Sequence, residues 1–217
     1  VPEAESISRP GLWTSVSAIL FISTLLNMLL KQSDILFVSY FLGNTKAGIY
    51  GAATKISTLV ALGLSVTDYV FMPKIAALWE KRQIVRLQKL VHEGSRQILL
   101  ITIPIAVVLL ISGKWLLGLF GDAFSAAYLP LVILVVGQLV NALTGMVGGL
   151  LTMTGNQKMF LLFYLMAFAA QAVLNILLIP SVGIIGASIA SSLGLILLNV
   201  IGYRFVRRKM KISASAF

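Results

Sequence analysis

The stretch MFLLFYLMAFAAQAVLNILLIPSVGIIGASIASSLGLILLNVIGY, residues 159–203, decides the fold class, because it runs for 45 residues without Asp, Glu, Lys or Arg. About 20 apolar residues cross the hydrocarbon core of a bilayer as an α-helix, so this stretch is too long for one span. Proline and glycine interrupt helices, and Pro180 and Gly183 divide the stretch near its middle. The stretch therefore predicts two membrane-spanning helices joined by a turn.

The rest of the chain is also rich in apolar residues and poor in charged ones. The 217 residues are 59% hydrophobic and 11% charged, whereas a soluble domain carries about 25% charged residues. Further uncharged runs cover 10–30, 97–113 and 123–157. The composition predicts an all-α, polytopic membrane protein, a bundle of six transmembrane helices over residues 12–206. The predicted helices are approximately residues 12–42, 45–77, 95–113, 124–154, 158–179 and 183–206.

Three segments fall outside these helices. Residues 1–11 read as a linker, because they are acidic and lack the features of a signal peptide. Residues 81–94 combine a basic face with apolar residues at helical spacing, which predicts an amphipathic helix lying at the membrane interface. Residues 207–217 form a basic tail.

The net charge of +10 is explained by topology. If the N-terminus is cytoplasmic, the predicted helices place thirteen basic residues on the cytoplasmic side and two, Lys46 and Lys114, outside. This bias predicts that both termini are cytoplasmic. We therefore expect membrane lipids as partners and do not need nucleic acid to explain the charge.

The sequence gives no sign of an enzyme. It contains no phosphate-binding loop, no HExxH, no GxSxG and no EF-hand loop. Cysteine is absent, and the single histidine, His92, has no acidic or metal-ligating residues arranged around it. We predict no catalytic residues, no metal site and no cofactor.

Four ionisable residues lie inside the predicted helices: Lys31, Asp34, Lys55 and Asp68. Each costs at least about 2.5–3.5 kcal/mol to place at the membrane centre. Lys31 and Asp34 are three residues apart on one helix face and can pair. One interpretation is a polar cavity shared by this face, with Asn27, and by Lys55. In the alternative, Lys31 and Asp34 reach the outer interface and Asp68 pairs with the basic cluster around Lys74.

Polar amides recur in the last three predicted helices, and hydrogen bonds between helices are their ordinary role. We include three of them, Gln138, Asn141 and Asn175, among the candidates for the cavity lining. Gln171 and Asn199 are expected to bond between helices.

Four motifs, in order, resemble the oligosaccharide-lipid flippases of the multidrug/oligosaccharidyl-lipid/polysaccharide superfamily. The first is SDILFVSYFLGNTKAGIYGAATKISTLV, in which the matching residues are Asp34, Gly43, Gly48, Tyr50, Ala53 and Lys55. FMPKIAALW resembles the proline-ended second helix of the family, and LTMTGNQK resembles the link between its fourth and fifth helices. In LNILLIPSVGIIGASIASSL the matching residues are Asn175, Pro180, Gly183, Gly186, Ala187 and Ala190.

The resemblance implies one lobe, the C-terminal six-helix lobe, of a two-lobed flippase of the O-antigen type. Such a protein would move an isoprenoid-diphosphate-linked oligosaccharide across the cytoplasmic membrane of a prokaryote by alternating access. Its partners would be this substrate and the N-terminal lobe of the same parent chain. The cationic cavity of the family implies a role for Lys55 and for Lys31, and coupling to H⁺ or Na⁺ makes Asp34 and Asp68 the candidate coupling residues.

Three other functions remain open from the residues. A multidrug exporter of the same superfamily is disfavoured by buried lysines, since an exporter of cations favours an acidic cavity. A membrane glycosyltransferase or polymerase would need a large outer loop with acidic or basic groups, and the predicted outer loops are short. A purely structural membrane protein would leave Lys55 without a role.

Overall fold

A computed structural model describes residues 10–212, with side chains described from residue 17 onward. Residues 1–9 of the expected linker and residues 213–217 of the expected tail lie outside the described part. The prediction of an all-α membrane protein is confirmed: six stretches of helix are long and apolar enough to cross a membrane.

The described residues form eight α-helices, α1 to α8, and two 3-10 segments, Thr58–Ala61 and Asp122–Ala127. Four spans are single helices, and the second and fourth are each built from shorter pieces. The bounds of the α-helices are, in order, Pro10–Leu42, Asn44–Ser57, Leu62–Glu80, Ile84–Gly118, Tyr128–Leu143, Val147–Met153, Gln157–Val182 and Ile184–Met210.

The fourth predicted helix, 124–154, is not continuous. It begins as a 3-10 segment, α5 ends at Leu143, and α6 starts at Val147. Gly145 lies between them with a φ of 60°, a left-handed conformation that glycine adopts without strain. Gly145 therefore marks the point at which the predicted helix 124–154 is divided into α5 and α6.

The predicted amphipathic segment 81–94 is not separate from the third predicted helix. Only residues 81–83 form a turn, and α4 then runs without interruption into the third span. Leu87 and Val91, the apolar face of the segment, are fully buried in the protein core. Gly94 permits this packing, because a Cβ added there would lie 2.4 Å from the sulfur of Met146.

The last two helices also extend beyond their predicted ends. Pro180 lies inside the final turn of α7, and Gly183, with a φ of 65°, separates α7 from α8. At the other end, α8 continues to Met210, so the predicted tail is partly helical. Its last turn carries Arg207, Arg208 and Lys209, whose charges stabilise the negative end of the helix dipole.

Two apolar clusters fill the bundle. The first contains Leu30 of α1, Ala167 of α7 and Leu198 of α8. The second contains residues further along α1 and α7 but nearer the start of α8: Val38, Ile179 and Ala187. Each of these three helices therefore passes from one cluster to the other.

Along each of these three helices, buried polar residues lie between the two apolar clusters. We call the following buried set the polar belt: Ser33, Asp34, Gln171, Asn175, Ser188 and Ser192. In a bilayer such groups must find their hydrogen bonds within the protein, because lipid offers none. The belt fixes how α1, α7 and α8 face one another, and it positions the site.

The close packing of α7 and α8 gives a first prediction. A Cβ at Gly186 would lie 2.5 Å from the backbone oxygen of Leu178, which cannot move aside as a side chain can. We expect Gly186→Ala to destabilise the folded bundle by about 1–3 kcal/mol. Reversible unfolding in detergent micelles would measure the change.

The matched control is Gly48→Ala in α2, where nothing lies within 4 Å of the added Cβ. It should leave stability unchanged or raise it by about 1 kcal/mol, since alanine favours helix. Equal effects of the two substitutions would contradict the assigned packing.

Candidate functional site

Asp34 is the centre of the polar belt. Its side chain is 1% exposed, on the face of α1 that also buries Leu30 and Val38 at intervals of four residues. This spacing places the three side chains on one helix stripe facing the other helices. Asp34 therefore does not reach the outer interface, which was the alternative interpretation from sequence.

Two hydroxyl groups from other helices hold the Asp34 carboxyl group. Tyr50 of α2 and Ser191 of α8 each donate a hydrogen bond of 2.6 Å to Oδ2 of Asp34. The backbone amide of Ile35 donates to Oδ1 at 2.9 Å. The sequence suggested Lys31 as the partner of Asp34; the partners found are hydroxyls and an amide.

Gln171 of α7 joins the same cluster. Its Nε2 atom donates to the backbone oxygen of Leu30 at 2.9 Å and to Oγ of Ser191 at 3.4 Å. The interhelical role expected for this glutamine is thus observed. Through Tyr50, Ser191 and Gln171 the carboxyl group of Asp34 in α1 is linked to α2, α8 and α7.

Other polar atoms of the belt have no hydrogen-bond partner within the described part of the chain. These are Oγ of Ser33, Oε1 of Gln171 and both amide atoms of Asn175. Asn175 is fully buried, and because neither of its amide atoms has a partner among the described residues, it forms no hydrogen bond between helices there. A buried polar group without a partner costs roughly 1–3 kcal/mol, and such groups mark places where a protein binds water, ions or ligands.

A cavity of about 590 Å³ opens beside the belt. It extends from Asp34 and Ser191 toward the end of the bundle at which α3 and α6 end and α7 begins. Its polar lining residues are Asn27, Lys31, Asp34, Thr54, Ser57, Thr58, Ser65, Asp68, Gln138, Asn141, Thr152, Tyr164, Ser191, Ser192 and Asn199.

A second hydrogen-bond network forms part of the cavity wall. Asn199 of α8 donates from Nδ2 to Oδ1 of Asn141 at 3.0 Å and accepts from the hydroxyl of Thr144, also at 3.0 Å. Gln138 extends the network, because its Oε1 accepts from Asn141 at 3.4 Å. These amides link the fourth and sixth spans, and they also face the cavity.

The structure brings most of the predicted site residues together. Six of the eight lie in the lining of the cavity: Asn27, Lys31, Asp34, Asp68, Gln138 and Asn141. Asn175 is buried behind the lining. Lys55 is exposed on α2 and is not part of the lining, whereas its neighbour Thr54 is. Contrary to the expectation, Lys31 and Lys55 do not line one cavity in the described part of the chain.

Asp68 faces the cavity and not the basic cluster at the end of α3. Its Oδ1 atom is buried without a hydrogen-bond partner among the described residues. Lys74, the expected partner, instead places its ammonium group 5.5 Å from the centre of the Phe71 ring. The alternative of pairing between Asp68 and Lys74 is not observed.

Sequence reasoning missed the roles of Tyr50 and Ser191. Tyr50 was noted as a matching residue of one motif, and Ser191 lies in another motif without being assigned a role. The available signal was the buried acid itself: a carboxyl group in a membrane span requires donors from neighbouring helices. Which hydroxyls supply these hydrogen bonds depends on how the helices pack, because Tyr50 is 16 positions and Ser191 is 157 positions from Asp34 in the sequence.

The arrangement can bind a polar ligand but shows no centre for covalent chemistry. Amides and hydroxyls supply donors and acceptors, and Lys31 supplies positive charge at the exposed edge of the lining. Among the described residues, no group of three or more His, Cys, Asp or Glu side chains could hold a metal ion. Binding and passage of a polar molecule suit this chemistry.

Comparison with known proteins points in the same direction. Residues 11–133 match the model of a family described as polysaccharide biosynthesis protein. No solved structure matches the chain significantly.

Two curated relatives come from Haloferax volcanii. The chain is 21% identical over 161 residues to a protein named "Probable low-salt glycan biosynthesis flippase Agl15", covering 74% of the chain and 34% of the relative. It is 25% identical over 174 residues to "Probable flippase AglR", covering 79% and 37%. The chain thus spans about a third of the length of these relatives.

The hydroxyl donors give a second prediction. Tyr50→Phe removes one of the two hydroxyl bonds to a buried carboxyl group, so we expect the free energy of unfolding to fall by about 1–2 kcal/mol. Tyr40→Phe is the matched control, because Tyr40 is 83% exposed. Thermal unfolding in micelles compares the two, and equal stabilities would show that the Tyr50 hydroxyl does not hold Asp34.

Proposed function

The chain belongs to the polysaccharide biosynthesis protein family, and from this premise we propose that it is one lobe of a flippase for lipid-linked oligosaccharide. The flippase would move an isoprenoid-diphosphate-linked glycan across the cytoplasmic membrane of a prokaryote for cell-surface polysaccharide biosynthesis. The observation that carries the proposal is a cavity of about 590 Å³ inside a membrane bundle, whose described lining includes amides, hydroxyls, two aspartates and one lysine.

The polar lining suits a sugar chain. Sugar hydroxyls both donate and accept hydrogen bonds, as do the amides of Gln138, Asn141 and Asn199. Lys31 lies at the edge of the lining and is exposed, so its ammonium group can meet a diphosphate without being buried first. The lining also contains Asp34 and Asp68, so the preference for an anionic substrate rests on the exposed position of Lys31 and not on the net charge of the cavity.

The proposed transporter needs a second lobe. The chain spans about a third of the length of its flippase relatives, which supports a partner lobe of six helices in the same parent chain. Lys55, exposed on α2, would then face the space between the lobes. In this proposal Lys31 lines a cavity within the lobe and Lys55 lines the path between lobes, and the substrate crosses by alternating access.

The proposed orientation follows from charge. The end of the bundle toward which the cavity extends carries the basic residues between α3 and α4 and those at the end of α8. By the positive-inside rule this end is cytoplasmic, with both chain termini. The structure would then correspond to a lobe open to the side on which lipid-linked glycans are assembled.

A transport assay tests the role of Lys31. The protein that carries this chain is reconstituted in proteoliposomes, and the movement of a fluorescent isoprenoid-diphosphate sugar between leaflets is followed. Loss of one charge-assisted contact to phosphate lowers affinity about tenfold or more, so Lys31→Gln should slow transport by a similar factor at low substrate concentration.

Lys46→Gln is the matched control, because Lys46 is exposed on α2 and does not line the cavity. It removes the same charge and should leave transport unchanged. If Lys55→Gln slows transport and Lys31→Gln does not, the substrate path lies only on the exposed face of α2. Absence of any transport by the unsubstituted protein would overturn the function itself.

We also propose that Asp34 couples transport to an ion gradient, with Asp68 as the second candidate. A carboxyl group can bind H⁺, and the oxygens of Ser33, Gln171 and Asn175 that lack partners would suit Na⁺, which prefers oxygen ligands. Because Asp34 holds α1 against α2 and α8, a cation bound there would compete with Tyr50 and Ser191 and change the helix packing.

Gradient dependence tests this coupling. Transport is measured with and without an imposed H⁺ or Na⁺ gradient. Asp34→Asn keeps the size of the side chain and removes its charge, so we expect the stimulation by the gradient to disappear while some downhill exchange remains. Asp122→Asn, at an exposed position outside the α-helices, should retain full stimulation. Loss of stimulation in Asp68→Asn alone would assign the coupling to Asp68 instead.

A further inference from the structure

Three arginines at the end of α8 line a second pocket, of about 520 Å³. The described residues of its lining are Thr144, Val200, Tyr203, Arg204, Arg207 and Arg208. We call it the arginine pocket. The proposed transport function uses none of these arginines, so their grouping needs its own explanation.

Helix geometry and the break in the fourth span create the arginine pocket. Arg204, Arg207 and Arg208 are three and four residues apart, which places them on one face of α8. Thr144 follows the last residue of α5, where the chain turns before α6 begins. The end of α5 thus forms the wall opposite the arginine face.

Among the described residues, the lining of the arginine pocket contains three arginines and no acidic residue that would compensate their charge. Like charges at this spacing repel one another on a helix. The helix dipole favours basic residues in the last turn, but Arg204 lies before that turn. An anionic ligand would remove the repulsion.

Lys209 shows what a structural basic residue looks like in the same turn. Its ammonium group donates to Oδ1 of Asn156 at 3.1 Å and lies 5.2 Å from the centre of the Phe205 ring. Lys209 is absent from the lining of the arginine pocket. The three arginines are therefore distinguished from their neighbour by where they point, and not by charge alone.

We propose that the arginine pocket binds the phosphate group of a membrane lipid. The guanidinium group presents paired N–H donors that match phosphate oxygens, which gives arginine an advantage over lysine at such sites. Val200 and Arg208 are about 12 Å apart along the helix, so the pocket extends from the apolar part of the span to the charged end. A lipid phosphate lies at this kind of boundary.

The arginine pocket shares a wall with the polar cavity. Thr144 lines the pocket, and its hydroxyl donates to Asn199, which lines the cavity together with Asn141. A bound phosphate would therefore lie next to the cavity. Two lipids carry the required chemistry: an anionic phospholipid of the bilayer, and the isoprenoid diphosphate of the substrate, the second of which depends on the proposed flippase function.

Lipid binding to the purified protein in an uncharged detergent tests the proposal. Native mass spectrometry follows titration with phosphatidylglycerol, with an isoprenoid diphosphate, and with diacylglycerol, which lacks phosphate. We expect both phosphate lipids to bind and the double substitution Arg204→Gln with Arg207→Gln to weaken them about tenfold or more. Diacylglycerol binding should not respond to it.

Lys209→Gln is the control, since it removes one positive charge from the same turn and lies outside the lining. If it weakens phosphate lipids as much as Arg204→Gln alone, binding is general attraction to a basic helix end and the proposal is overturned. If the double variant does not fold, Arg204→Lys keeps the charge and should still lose part of the affinity. Unchanged affinity in that variant would also count against the site.

The two lipids then identify the source of the phosphate. Tighter binding of the isoprenoid diphosphate, resistant to competition by phosphatidylglycerol, supports a docking place for the substrate; equal binding supports a bilayer phospholipid. The assay involves no transport, so a failure of the flippase proposal would leave its result unaffected. Absence of binding by both phosphate lipids would overturn the arginine pocket while leaving the flippase proposal standing.

Discussion

The packing of this bundle depends on how one carboxyl group is satisfied inside a membrane. Asp34 is 1% exposed in the first span, where lipid offers no hydrogen bonds. Tyr50 and Ser191 each donate to the same oxygen at 2.6 Å, and Gln171 bonds to Ser191 and to the backbone of α1. Each of these contacts fixes the rotation of one helix about its axis. Apolar contacts alone would allow several rotations at similar energy, because lipid tails are as apolar as leucine.

This constraint explains why the polar residues form a belt between two apolar clusters. Residues such as Leu30, Ala167 and Leu198 close the bundle on one side of the belt, and Val38, Ile179 and Ala187 close it on the other. The clusters close the belt on two sides, while Asp34 and Ser192 of the belt face the polar cavity. Among the described residues, the buried polar atoms of Ser33 and Asn175 have no hydrogen-bond partner. A polar ligand that reaches these atoms would form the hydrogen bonds that the protein alone does not supply.

The sequence alone predicted the spans well, because the membrane imposes a length and a composition that can be counted residue by residue. The breaks were harder to predict. Gly145 divides the fourth predicted helix, because it takes a φ of 60°. Gly94 does not interrupt α4; it lies within that helix, packed against Phe71 and Met146. The sequence predicted most of the polar residues that line the candidate site, but it did not predict which residues form hydrogen bonds with one another. Hydroxyl partners in other helices cannot be assigned until the rotation of each helix is known.

The contrast between Lys31 and Asp34 shows how one helix serves two purposes. Both residues line the same cavity, and a spacing of three positions leaves them about 60° apart around the helix axis. Asp34 points into the junction of α1, α2 and α8, and Lys31 remains exposed at the cavity edge. A pairing between them would have neutralised the lysine and cost the bundle its contacts to Tyr50 and Ser191. Because hydroxyl groups hold the acid, the positive charge of Lys31 stays available for an anionic ligand. The different surroundings of these two residues therefore allow a buried acid held by hydroxyl groups and an exposed lysine to occupy one turn of helix.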